Sequence, residues 1–161
     1  MLTPPRDARK KETGGTSMFP RLLIGALGAT AVLLEAAYAQ GTAADAKAML
    51  EKTVAAIKAD KAKALDQINK GENGFLVGDI YPFCFNLDDG TLVAIGNPNA
   101  KRSLGQDVSL TNPQAYAAAK EGQIKEVTYE ASKPGSDKNP GLKASFITAV
   151  AGLGCGVGYY K

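Results

Sequence analysis

The chain has 161 residues, 45% of them hydrophobic, enough for one buried core and too few for a second once an N-terminal leader is set aside. Its formal charge of +3 comes from 19 basic and 16 acidic residues spread along the sequence, without the patches or stripes that mark nucleic-acid binders, so no nucleic-acid partner is expected. Histidine and tryptophan are absent, which removes the commonest general base and the commonest metal ligand and demotes hydrolase and metalloenzyme mechanisms.

Arg21 precedes an apolar run from Leu22 to Leu34, and Ala37-Tyr38-Ala39 follows as a small-x-small cleavage pattern before Gln40. The run is shorter than the roughly 20 residues that span a bilayer, so cleavage near Ala39 and a periplasmic or secreted mature protein are expected. Residues 1–17 are polar and long for the start of a leader, and Met18 offers a more conventional beginning than Met1. The expected organisation is therefore an extension with signal peptide over 1–39 and a single domain over 40–161.

From Ala43 to Lys70 there is no Pro or Gly and an abundance of Ala, Lys, Leu and Glu, which predicts one long helix stopped at Asn69-Lys70-Gly71. Leu50, Val54, Ile57, Ala64, Leu65 and Ile68 form a narrow apolar stripe, suited to lying along a domain's flank or to a helical seam with a second copy. The period then changes. Ile80 to Leu87 reads as an aromatic strand closed by the hairpin turn Asp88-Asp89-Gly90, with Thr91 to Ile95 as its returning partner. Asn86, Asp88 and Asp89 lack the alternating spacing and closing Glu of a calcium loop, so they read as turn chemistry and no metal or cofactor is expected. A loop carrying Lys101 and Arg102 leads to a short helix over Asn112 to Glu121, and a strand is expected over Ile124 to Ala131. Ser132 to Gly141, with its Pro and Gly, reads as an exposed loop before two last strands, Leu142 to Val150 and Leu153 to Tyr160.

The final strand is the most telling segment. Gly152, Gly154, Gly156 and Gly158 alternate with Leu153, Cys155, Val157 and Tyr159, which strips one strand face of side chains. Bulky groups must approach there, and Tyr81, Phe83 and Phe85 share one face of the aromatic strand. If the two strands are neighbours in the matching register, Cys84 and Cys155 meet on the opposite face; a slip of one residue separates them. A disulfide, two buried free thiols and a redox pair all remain open at this point.

The order of parts, with Gly78-Asp79-Ile80-Tyr81-x-Phe83, Asp89-Gly90-Thr91, Leu104-Gly105-Gln106-Asp107, Lys143 and the closing Gly-Val-Gly-Tyr-Tyr-Lys, resembles the single Cache domain, an extracytoplasmic sensor module, over about Ala43 to Lys161. The resemblance implies an α+β fold: a PAS-like antiparallel sheet of about five to six strands, flanked by the long helix, with a pocket for a small metabolite on its other face. It also implies that the aromatic strand and the last strand lie side by side. The sequence departs from the family at Ile95, where a His is frequent, and at Thr111-Asn112-Pro113-Gln114, where an Asp-Pro-Asp-Gly turn is frequent, so the ligand class is not inherited.

The expected pocket lining is Arg102, Tyr116, Tyr129 and Lys143: cations to orient a carboxylate, tyrosines with an apolar body and a hydroxyl tip. Each also has a plainer reading, Arg102 as solvated loop charge, Lys143 as an exposed strand end, and the tyrosines as core. The function expected is an exported sensor for a small organic acid or amino acid, signalling through a separate membrane receptor or kinase. The alternative is an adaptor that docks or forms a homodimer through its long helix. Catalysis is not expected, because a Lys143 or cysteine nucleophile would lack an activating base.

Overall fold

The computed structural model describes residues 40–100, 102–133 and 140–161. The expected leader, the cleavage pattern at Ala39 and Lys101 lie outside the described residues, as does the middle of the 132–141 loop.

Two helices stand where the sequence predicts one: α1 (Ala43–Ala59) and α2 (Lys61–Lys70). The break is at Asp60, whose extended backbone (φ −159°, ψ 99°) ends α1 while its carboxylate accepts from Lys63 N at 3.0 Å and caps α2. Aspartate side chains compete with helical carbonyls for backbone amides, so a single Asp suffices to restart a helix without Pro or Gly. Thr42 and Asp45 form a capping box that begins α1, and Gly71 in the left-handed region (φ 65°) ends α2.

A five-stranded antiparallel sheet follows, built from β1 (Pro82–Asn86), β2 (Leu92–Ile95), β3 (Lys125–Ala131), β4 (Gly141–Val150) and β5 (Leu153–Tyr160) in the order β2-β1-β5-β4-β3. The fold is α+β and PAS-like, as expected. The β1–β2 turn closes on Gly90 (φ 73°), with Asp89 Oδ1 accepting from Thr91 N at 2.9 Å. The helix expected over Asn112 to Glu121 is the shorter α4 (Pro113–Ala118), capped by Asn112 through Ala115 N, and a one-turn helix that the sequence reading did not expect, α3 (Val108–Thr111), precedes it.

Helix α1 lies across β5, β4 and β1, and buries Leu50, Ile57, Cys84, Leu153, Cys155 and Val157 between helix and sheet. Cys84 pairs with Cys155 across β1–β5, with Cα atoms 4.1 Å apart and the sulfurs bonded. The opposite face holds a second apolar cluster, Phe83, Phe85, Leu92, Val108, Ala115 and Ile147, capped by α3 and α4.

Candidate functional site

The glycines of β5 shape this second face. Gly154 lies under the Phe85 ring and Gly156 under Phe83 and Ile147, so no side chain fits at either position. Gly158 lies under the Lys143 side chain and Ser145 Oγ. The register explains the arrangement: Phe85 pairs with Gly154 and Phe83 with Gly156 across β1–β5, while Ser145 pairs with Gly158 and Lys143 with Tyr160 across β4–β5. At the end of the sheet where β1 begins, the glycine row leaves a cavity of about 240 Å³.

Arg102, Tyr129 and Lys143 line this cavity together with Tyr81, Phe83 and Tyr160. Lys143 is only 6% exposed, and its Nζ sits 4.8 Å from the centroids of both the Tyr81 and Tyr160 rings, a position that gains cation–π attraction on two sides. The reading of Lys143 as an exposed strand end does not hold. Burial and then the Arg102 charge pull its pKa down to about 8, with Asp79 opposing them. Burial pushes the Tyr160 hydroxyl up to about 12 and Tyr81 higher still.

The Arg102 guanidinium lies 5.8 Å from the Phe83 centroid, and its Nη1 is buried without a hydrogen-bond partner. An unsatisfied buried guanidinium nitrogen is costly, and an anion in the cavity would relieve it. Among the described residues neither Arg102 nor Lys143 forms an ion pair. Glu130 borders the cavity but is exposed, and strand alternation turns its side chain away from the face shared by Tyr129 and Lys143. Tyr129 Oη and Ser145 Oγ are hydrogen-bonded at 2.8 Å, and Tyr160 Oη donates to Ser132 O at 2.9 Å. Lys133 Nζ stands 5.3 Å from the Tyr160 ring.

Tyr116 is not in the cavity. Its ring packs on Phe85 (centroids 5.7 Å) and its hydroxyl donates to Leu87 O at 2.6 Å, which makes it a strut between α4 and the β1–β2 turn. Tyr81 and Tyr160 are the lining residues that motif reading passed over. Both were accessible from parity, since Tyr160 continues the even-numbered row of Gly154, Gly156 and Gly158, and Tyr81 continues the row of Phe83 and Phe85.

No family model and no curated protein matches the chain. Two solved structures are similar to it. One is described as the periplasmic sensor domain of a chemotaxis protein, with 21% identity, a TM-score of 0.49, and coverage of 71% of this chain and 86% of that one. The other belongs to work on carboxylic acid recognition by a Cache chemosensory domain, with 17% identity, a TM-score of 0.39, and coverage of 71% and 84%.

Proposed function

We propose that this chain is an extracytoplasmic sensor module that binds a small organic acid in the cavity on the glycine face of its sheet and relays occupancy to a membrane receptor or kinase. The observation that carries this reading is the pair of cations, Arg102 and Lys143, turned into one aromatic-walled cavity and without an ion-pair partner among the described residues. A carboxylate would pair with the guanidinium in two parallel hydrogen bonds and take a third from Lys143. At roughly 30 Å³ per water, a cavity of about 240 Å³ holds on the order of eight waters, which suits an acid or amino acid of comparable heavy-atom count. The buried Cys84–Cys155 disulfide fits an oxidising compartment outside the cytoplasm. The site binds and does not turn over.

A thermal screen of small organic acids and amino acids tests this. A ligand at a hundred times its dissociation constant should stabilise the fold by about 2.7 kcal/mol, and Arg102→Gln should abolish the shift. A broad screen without stabilisation, or an Arg102→Gln protein that responds like wild type, would remove the carboxylate reading and leave the adaptor alternative.

A further inference from the structure

Lys143 has more than an anion-holding role open to it. Its amine lies between the Tyr81 and Tyr160 rings and borders the cavity, and among the described residues it forms no ion pair, Asp79 favouring the ammonium only through longer-range charge. A lysine that is both desolvated and placed beside another cation has the two features that turn an amine into a nucleophile. We propose that Lys143 captures 2-oxo acids as a reversible imine, with Arg102 holding the carboxylate so that the adjacent carbonyl carbon faces Nζ. This rests on the carboxylate-binding reading of the same cavity and adds a carbonyl requirement to it.

The chemistry balances without an external reagent. The Nζ lone pair forms a bond to the carbonyl carbon as the C=O π bond opens, and a proton moves from nitrogen to oxygen to give a carbinolamine. The remaining N–H proton then passes to the hydroxyl, the C–O bond breaks and water leaves as the nitrogen lone pair forms the C=N bond, and water entering the cavity reverses each step. Tyr129 sits opposite Lys143 across β3–β4, and the Tyr129–Ser145 hydroxyl pair provides exchangeable protons on the same sheet face. The fraction of Lys143 present as free amine near neutral pH is raised by its burial and by Arg102, which lower its pKa to about 8. Gly158 is required for the geometry, because any side chain there meets the Lys143 stem.

The experiment is reductive trapping. The intact protein is incubated with pyruvate and cyanoborohydride, which reduces an imine to a stable secondary amine, and the product is mapped by peptide mass spectrometry. The expected result is one adduct on Lys143, absent in Lys143→Arg and reduced at least tenfold in Arg102→Gln. Lactate, an acid without the carbonyl, should stabilise the fold and give no adduct. Lys143→Met serves as a second variant if Lys143→Arg fails to fold, and it too should give no adduct. Stabilisation by pyruvate that depends on Arg102, without an adduct on Lys143, would overturn the imine and leave the carboxylate site standing. Labelling spread evenly over surface lysines would overturn it as well. Neither stabilisation nor adduct with any acid would overturn both readings.

Discussion

On the sheet face that meets α1, β5 contributes Leu153, Cys155 and Val157, all fully buried, and the layer is closed by Leu50, Ile57 and a disulfide. On the opposite face the same strand contributes glycines, and the space they leave is taken by rings from β1 and by a lysine from β4. One face is filled to exclude everything. The other is emptied so that side chains from neighbouring strands can lean in, and it ends in a cavity with two cations. Strand parity alone separates the stabilising layer from the proposed binding layer, so substitutions one residue apart on β5 should act on different properties.

The largest effect is expected on the sealed face. The Cys84–Cys155 bridge joins residues 71 apart in sequence, and in the chain-entropy model its loss costs roughly 4 kcal/mol. A melting curve of the Cys84→Ser/Cys155→Ser protein, or of wild type in strong reductant, should move down by many degrees. An unchanged curve would show that the α1 face owes its stability to packing alone.

The next effect has the opposite sign and belongs to the open face. Lys143 falls from an ordinary 10.5 to about 8 in the fold, which corresponds to a burden on the order of 3 kcal/mol carried by the native state when the amine is charged. Below about pH 8 both folded and unfolded chains hold the proton and the burden is full. Between about pH 8 and 10.5 the unfolded chain still binds a proton that the folded one has lost, so stability rises with pH there. Lys143→Met, similar in length and able to lie between the two rings, should raise the melting temperature at pH 7, with the gain shrinking toward pH 10. Melting curves of both proteins across that range check the sign. The groups that face Lys143 are Arg102, Asp79, Tyr81, Tyr129 and Tyr160, with Lys133 beyond the Tyr160 ring; Tyr81 and Tyr160, raised by burial, stay neutral through this window.

Glycine substitutions sharpen the comparison within one strand. Gly156→Ala drives a methyl into Phe83 and Ile147 and should cost about 1–3 kcal/mol by overpacking. Gly158→Ala meets the flexible Lys143 stem and Ser145 Oγ, so a smaller stability loss is expected together with loss of acid binding, read by calorimetric titration with acetate and pyruvate. The smallest stability effect is expected for Arg102→Gln, within about 0.5 kcal/mol of wild type in urea unfolding, since it removes a charge that the native state leaves partly unsatisfied.

The sheet was legible in the sequence because its period-two pattern is strong. Glycine alternation on β5 and aromatic alternation on β1 predict which faces meet, and that pairing sets the register that brings Cys84 to Cys155. Arg102, Tyr129 and Lys143 were accessible as polar groups on loops and strand ends around that face. Tyr116 misled because a tyrosine on a covering helix can point to the cavity or brace the turn, and helical spacing does not distinguish the two. The break at Asp60 was hidden for a similar reason: the residue is an ordinary helix-surface charge by composition and a cap only by conformation. The burial of Lys143 was the least visible, since it depends on Gly158 from one strand and Tyr81 from another.

Native mass spectrometry of the protein purified without denaturation from its own host tests the central claim most directly, with Arg102→Gln/Lys143→Met prepared in parallel. Wild type should retain a small mass bearing a carboxylate, and the double variant should emerge without it. A wild-type protein that carries no small anion and takes up none from a mixture of organic acids, or a double variant that retains the same mass, would contradict the assignment of the glycine face as an acid-binding site.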